Sequence, residues 1–114
     1  MQIIDAPMSL ADLVSLAENL YGDMVKAVAD VRNGVLAIDA ELHSDLESLL
    51  LQNGSAQEDL WGFNIYPAMY GSDDFVEFDS LINIRPRQNN PSRDVEDPHI
   101  REAIITLTGK FFIE

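Results

Sequence analysis

Residues 24–42 read MVKAVADVRNGVLAIDAEL, and this stretch decides the predicted fold. Its Asn33-Gly34 pair is typical of a two-residue type I′ turn, in which both central residues take positive φ. Counting outward from that turn makes one face of the hairpin wholly apolar, so the pattern and the turn agree. The predicted pairs are Val31 with Leu36, Ala29 with Ile38, Ala27 with Ala40 and Val25 with Leu42 on the apolar face, and Lys26 with Glu41 on the other.

A second hairpin is predicted farther along the chain. Within Leu60–Pro67, large apolar residues alternate with small or polar ones, which indicates a strand. Phe75–Arg85 alternates in the same way, apart from Ser80 and Leu81. The polar residues 68–74 between the two segments are typical of a loop. We therefore expect four strands in two sequential hairpins.

Helix signals surround these strands. Capping residues, helical spacing of apolar side chains and terminating glycines mark three segments. The ends of the chain are less determined: Met1–Asp5 is either an edge strand or a loose end, and Ile104–Thr108 is rich enough in β-branched residues to be a strand, although helix is favoured. The predicted helices are 10–21 after Ser9, a short helix after the capping box Ser44–Glu47 that ends at Asn53-Gly54, and a helix that begins at Pro98 after Asp97.

These elements predict an α+β fold in a single domain, residues 1–114. A mostly antiparallel four-stranded sheet would have one face covered by the N- and C-terminal helices, each of which has a single apolar stripe. The other face of the sheet would be left bare.

Composition narrows the class of protein. The chain has 114 residues and is 46% hydrophobic, which suffices for one core, and it has no cysteine, which excludes disulfides and a cysteine nucleophile. Met1–Asp5 lacks the basic and apolar character of a secretory signal, and no apolar run is long enough for a membrane span. We expect a cytoplasmic protein that does not enter a membrane.

Charge is distributed unevenly. The net charge is −13, which disfavours binding to nucleic acid. Arg85, Arg87 and Arg93 nevertheless lie in a stretch without any acidic residue. With Asn90 they form a candidate site for a small anionic ligand, since the guanidinium fork suits carboxylate or phosphate. The alternative is that these arginines pair with nearby carboxylates.

The bare sheet face is the other candidate site. It is open to three interpretations: a solvated surface, a surface for a partner such as a second copy of the chain with Val28, Tyr66 and Leu81 as apolar anchors, or a metal site. Asp39, Glu41 and His43 would share one face of a strand, but i and i+4 lie about 13 Å apart there, so a bend or a cross-strand carboxylate is needed. The polar residues predicted on this face are Lys26, Asp39, Glu41, His43, Asn64, Tyr66, Glu77, Asp79 and Asn83.

No phosphate loop, nucleophile elbow or paired-histidine motif occurs, and the sequence leaves the identity of any cofactor or metal open. The first hypothesis is therefore a non-catalytic binding or interaction module that forms a homo-oligomer. The alternative is a small metal-dependent or phosphate-handling enzyme. It would use Glu41, His43, Glu77 and Asp79 together with Arg85 and Arg93.

Several blocks of the sequence occur together: GDMVKAV at 22–28, ELH at 41–43, GSAQEDLWGFNIYP at 54–67, EFDSLINIRP at 77–86 and SRDVED at 92–97. In this combination, which spans nearly the whole chain, the sequence resembles an uncharacterised prokaryotic family classed as a domain of unknown function. Phe63 departs from that pattern, because a smaller aliphatic residue is expected at this position. The resemblance implies a small free-standing protein and brings no catalytic residues with it.

Overall fold

A computed structural model describes residues 1–114. The fold is α+β, with three α-helices around a five-stranded antiparallel sheet and a small parallel strand pair. The elements in chain order are β1 (Gln2–Ile4), β2 (Met8–Ser9), α1 (Leu10–Leu20), β3 (Val25–Asp30), β4 (Val35–Ile38), α2 (His43–Gln52), β5 (Leu60–Ile65), β6 (Val76–Glu77), α3 (Pro98–Phe111) and β7 (Phe112–Ile113).

The main sheet has the strand order β1-β4-β3-β5-β6, and each neighbouring pair is antiparallel. The predicted sheet was therefore right in type but one strand short, because residues 2–4 add an edge strand beside β4. The two predicted hairpins are also joined directly, since β5 pairs with the central strand β3 along its whole length. Residues 8–9 and 112–113 form a separate parallel pair.

The first hairpin exists, but its predicted register was wrong by two residues. Asp30 lies opposite Val35, so the loop has four residues rather than two. The Asp30 carboxylate causes this, because it accepts hydrogen bonds from the backbone N–H groups of Arg32 and Asn33 and from the Asn33 side chain. Only Gly34 of the Asn-Gly pair has positive φ. A shift of two residues keeps every side chain on its predicted face.

The hairpin is also shorter than predicted. β4 ends at Ile38 because Asp39 adopts a φ of 73°, which turns the chain out of the sheet. The predicted pairing of Lys26 with Glu41 is therefore wrong, and Lys26 lies opposite Asn64 of β5 instead.

One face of the sheet is covered as predicted. Alternate residues of β3, β4 and β5 form a buried core with side chains from α1 and α3, including Leu13 and Ile104. The α1 cap is also confirmed, since the Ser9 hydroxyl accepts a hydrogen bond from the Asp12 N–H. In α3 the Asp97 carboxylate accepts one from the His99 N–H, and the helix continues through Ile104–Thr108.

The opposite face is not bare, which corrects the prediction. Helix α2 packs there, and Leu46 and Leu50 bury Val28 and Ala37 of the sheet. Val28 is therefore core rather than the exposed anchor of a partner surface. The helix begins at His43 instead of after Ser44, and Leu42 at its N-cap position provides no capping side chain. Only the part of this face beyond the N-terminus of α2 is left open.

The predicted strand over Phe75–Arg85 is present only at Val76–Glu77. The chain then forms a 3-10 turn at Leu81–Asn83, because the Ser80 hydroxyl accepts a hydrogen bond from the Ile82 N–H. The side chain of Asn83 is consequently buried. It accepts from the Gly62 N–H at 2.8 Å and donates to the Gly62 carbonyl at 2.9 Å, which imitates the bonding of a neighbouring strand.

None of the three helices combines the length and the apolar character that crossing a membrane requires.

Candidate functional site

A cleft of about 540 Å³ opens on the α2 face of the sheet, between the N-terminus of α2 and the segment after β6. We call it the α2 cleft. Small-molecule sites in proteins commonly have about 300–1,000 Å³. Its lining residues are Met24, Lys26, Leu42, His43, Ser44, Asn64, Tyr66, Glu77, Asp79, Ser80, Leu81, Ile82 and Arg93.

The floor of the cleft is a row of three side chains on adjacent strands. Lys26 of β3 lies opposite Asn64 of β5, and Asn64 lies opposite Glu77 of β6. Directly opposed residues point to the same face of a sheet. A cation, an amide and a carboxylate therefore stand side by side, with neighbouring strands about 4.8 Å apart.

Asn64 is the most unusual member of this row. It is 4% exposed, and its Nδ2 donates to Glu77 Oε1 at 2.9 Å, which fixes the orientation of the amide. Its Oδ1 is buried and makes no hydrogen bond of normal geometry, although the His43 ring lies beside the amide. Asp59 Oδ2 and Trp61 Nε1 are the other such atoms, but neither of those residues lines the α2 cleft. A buried acceptor without a partner lowers the stability of the fold by an amount on the order of 1–3 kcal/mol. A hydrogen-bond donor from a bound molecule would remove this cost.

His43 lies beside Asn64 at the first turn of α2. Its Nε2 is 2.8 Å from the Phe63 carbonyl oxygen, so that nitrogen carries the proton and donates. Burial lowers the pKa of His43 to about 4, and the nearby charge of Lys26 also lowers it, while the contacts with Phe63 and Asn64 oppose the shift. The imidazole is therefore neutral near pH 7.

The two charges at the ends of the row differ in their surroundings. Lys26 makes no ion pair, although two carboxylates line the same cleft, and its Nζ lies 5.4 Å from the centre of the Tyr21 ring. Glu77 also has no cationic partner: its Oε1 accepts hydrogen bonds from Asn64 and from the Tyr66 hydroxyl at 3.0 Å. Burial raises the pKa of Tyr66, and the Glu77 carboxylate raises it further.

The remaining charged pair neutralises itself. Arg93 Nε donates to Asp79 Oδ1 at 2.6 Å, and both side chains are about half exposed.

At the wall of the cleft, the first N–H groups of α2 have no capping side chain, because Leu42 occupies the N-cap position. Uncapped N–H groups at a helix N-terminus favour anions.

The structure collects six of the nine residues predicted on the polar face, namely Lys26, His43, Asn64, Tyr66, Glu77 and Asp79. The other three lie elsewhere. Asp39 is 3.9 Å from the N-terminal amine, the exposed Glu41 accepts a hydrogen bond from Tyr21 through its backbone carbonyl, and Asn83 is buried under Gly62. No group of three or more histidine and acidic side chains converges in a way that could hold a metal ion, so Asp39, Glu41 and His43 are not brought together.

The predicted anion site in the arginine-rich loop is also dispersed. The Arg85 guanidinium donates to the carbonyls of Gln57, Leu60 and Ile82, lies 3.4 Å from Glu47 and stacks 4.7 Å from the Trp61 ring. Burial lowers the pKa of Arg85, and the Glu47 carboxylate opposes that effect.

The other members of that loop are separated from Arg85. Asn90 is buried and bonds backbone groups of its own loop, including the Asp94 carbonyl, while Arg87 is exposed. Arg93 belongs to the α2 cleft. Of the residues of the alternative enzyme hypothesis, His43, Glu77, Asp79 and Arg93 line the α2 cleft, whereas Glu41 and Arg85 do not.

Sequence reasoning placed His43 and Leu81 on this face but missed the contribution of Leu42, Ser44, Ser80 and Ile82 to the cleft. No local signal identified them, because the capping box Ser44–Glu47 predicted a helix that begins after Ser44, whereas the helix begins at His43.

A second cleft of similar volume lies beside α3, between Tyr70, Phe78 and Ile105. No buried, unpartnered polar atom lines it, and its one cation, Arg101, pairs with Asp94 at 2.8 Å and stacks on Phe78. The α2 cleft is therefore the stronger candidate.

Residues 2–111 match the family described as "Protein of unknown function (DUF5674)". The resemblance to an uncharacterised family is thereby confirmed. Neither the curated proteins nor the solved structures include a match to the chain.

Proposed function

The chain belongs to the DUF5674 family, and we propose that it is a non-catalytic binding module whose ligand site is the α2 cleft. The observation that carries this proposal is the buried Asn64 Oδ1 without a partner in a row of polar side chains. A ligand that donates a hydrogen bond to this atom would remove the cost of leaving it unsatisfied.

The surroundings of Asn64 support binding because they are already ordered. Hydrogen bonds to Asn64, Tyr66 and Phe63 hold the side chains of Glu77 and His43. A pre-ordered site loses less conformational entropy when a ligand binds, so more of the interaction energy contributes to affinity.

A titration of the ¹⁵N-labelled protein with small polar molecules tests the proposal. The probes are inorganic phosphate, acetate, methylamine, glucose and the standard L-amino acids. We expect at least one probe to shift the amide resonances of Lys26, His43 and Asn64 in a saturable way, while Gly71 and Gly109 beside the second cleft do not move. If no probe shifts the three cleft resonances, the proposal is wrong.

A matched pair of variants makes the test specific. Asn64→Leu removes both polar atoms of the central amide, whereas Asn89→Leu removes an amide from an exposed loop. We expect the first variant to abolish the saturable shifts and the second to leave them unchanged.

Self-association is a second candidate function, supported by apolar side chains at the rim of the cleft. Leu42 is 57% exposed and Leu81 is 68% exposed, and both line the α2 cleft. The net charge of −13 opposes the approach of two copies, so added salt should strengthen their association. Sedimentation velocity at low and high salt tests this, and a monomer at both salt concentrations would exclude it.

A further inference from the structure

We infer that the ligand of the α2 cleft is a zwitterion of the class of free α-amino acids. Its carboxylate lies near Lys26 and the N-terminus of α2, and its ammonium lies near Glu77 and Asn64. This inference rests on the proposed binding function and specifies its ligand.

The first argument is the charge that the cleft leaves unpaired. Four ionised side chains line it: Lys26, Glu77, Asp79 and Arg93. Because Arg93 and Asp79 neutralise each other at 2.6 Å, one cation and one carboxylate are left without an oppositely charged partner. A ligand with one charge of each sign complements this remainder, whereas a ligand with a single charge leaves Lys26 or Glu77 uncompensated.

The second argument is the separation of those two charges. Lys26 and Glu77 are on strands two positions apart, so their backbones are about 10 Å apart, and their charged atoms do not form an ion pair. Asn64 lies between them. A small molecule seated over Asn64 can therefore reach both charges at once.

The third argument is the kind of hydrogen bond that each end requires. At the Lys26 end the cleft offers donors, namely the ammonium, the Ser44 hydroxyl and the uncapped N–H groups of α2. Over the middle of the row and at the other end it offers acceptors, namely Asn64 Oδ1, on the side of the amide that faces away from Glu77, and the exposed Glu77 carboxylate. A carboxylate only accepts and an ammonium only donates, so an amino acid matches both ends in one orientation.

The rim gives the side chain of such a ligand an apolar contact. Met24, Leu42 and Leu81 border the opening, and Leu42 and Leu81 are more than half exposed. We therefore expect aliphatic amino acids to bind more tightly than acidic ones, which would also be repelled by a protein of net charge −13.

Calorimetry with L-leucine and two analogues tests the inference. The analogues are 4-methylpentanoate, which lacks the amino group, and isoamylamine, which lacks the carboxylate. We expect L-leucine to bind about tenfold or more tightly than either analogue, because each removes a charge-assisted hydrogen bond. Equal affinity of one analogue would overturn the inference and leave the binding function standing. Absence of binding by every probe, including phosphate and glucose, would overturn both.

Matched variants assign the two ends of the ligand. Lys26→Met should weaken L-leucine to the affinity of isoamylamine, and Glu77→Gln should weaken it to that of 4-methylpentanoate. Lys110→Met is the control for the first, because Lys110 also lies over an aromatic ring, 5.5 Å from the centre of Phe111, but is outside the cleft. Glu102→Gln on the exposed face of α3 is the control for the second. If the control variants weaken binding as much as the cleft variants, the assignment is wrong.

Discussion

The two faces of the central sheet are built in different ways, although the same strands provide both. On the α1/α3 face every inward position of β3, β4 and β5 is apolar and buried. On the α2 face Leu46 and Leu50 are the centre of a smaller apolar cluster, and beyond it the face includes the polar α2 cleft. The first face is entirely packed and stabilises the fold. The second face is partly packed against α2 and partly lines the candidate ligand site.

Hydrogen bonding also distinguishes the two faces. The α1/α3 face buries few polar side-chain atoms, and one of them, Trp61 Nε1, has no hydrogen-bond partner. The α2 face buries His43, Asn64 and Asn83, and only Asn64 has an unpartnered side-chain atom. Asn64 Oδ1 differs from the other unpartnered buried atoms because its residue lines the α2 cleft, where another molecule can supply a donor.

The largest expected effect tests the apolar face. Phe63 is fully buried there, and Phe63→Ala should lower the free energy of unfolding by about 3–5 kcal/mol, since it removes apolar contact and leaves a cavity. Urea unfolding monitored by circular dichroism measures it. The exposed Ile105→Ala should change stability by about 0.5 kcal/mol or less. Similar effects of the two substitutions would contradict the described core.

The next effect is a pH dependence that originates on the α2 face. The folded pKa of His43 is about 4, below its ordinary 6.5, so between these values the unfolded chain binds a proton that the folded chain does not. The contribution of His43 to the free energy of unfolding is therefore largest above pH 6.5. It falls by an amount on the order of 3 kcal/mol as the pH decreases towards 4.

His43→Gln isolates that contribution, because the glutamine amide can still donate to the Phe63 carbonyl but does not titrate. The difference in unfolding free energy between the natural chain and this variant should fall with decreasing pH across that window. His99→Gln in the exposed first turn of α3 serves as the control. A difference that is constant with pH would show that His43 titrates normally in the fold.

A smaller effect compares two glycines. A Cβ at Gly62 on the α2 face would lie 2.6 Å from Ser80 Oγ, so Gly62→Ala should destabilise the protein by about 1–3 kcal/mol. A Cβ at Gly109 in α3 meets nothing within 4 Å, so Gly109→Ala should stabilise it by about 0.5–1 kcal/mol. Thermal unfolding of both variants gives the two signs. Combining Gly62→Ala with Ser80→Gly should recover part of the loss, and purely additive effects would mean that the two residues do not touch.

The smallest effect on stability is expected at the rim of the cleft. Leu81 is 68% exposed, so Leu81→Ser should change the free energy of unfolding by about 0.5 kcal/mol or less. The same substitution should weaken any self-association and lower the affinity for aliphatic ligands. Sedimentation velocity and calorimetry measure these effects, and a large loss of stability would mean that Leu81 belongs to the core.

The apolar face could be predicted from the sequence because its signal is local. Alternation in β3, β4 and β5 and the caps Ser9 and Asp97 depend on nearest neighbours in the chain, and all of them are confirmed. The hairpin register could not be predicted, because the Asp30 carboxylate bonds residues within its own loop and also accepts from Ser55, 25 residues away.

The α2 face was predicted less well, because its structure depends on contacts between distant residues. Alternation over Phe75–Arg85 predicted a strand, but Asn83 bonds Gly62, 21 residues away, and that contact determines the path of the chain. The strand pattern did identify Lys26, Asn64 and Glu77 as members of one polar face. It could not reveal the unpartnered Asn64 oxygen, which depends on packing in three dimensions.

The parallel pairing of β2 with β7 has a consequence for how the chain folds during synthesis. Met8 lies beside Phe112, and the Phe112 side chain is fully buried in the larger core. A ribosome adds only about 5–20 residues per second, so the early residues wait for several seconds before their neighbours in β7 emerge. Until then α1 has no complete layer to pack against, and its apolar stripe stays exposed to water.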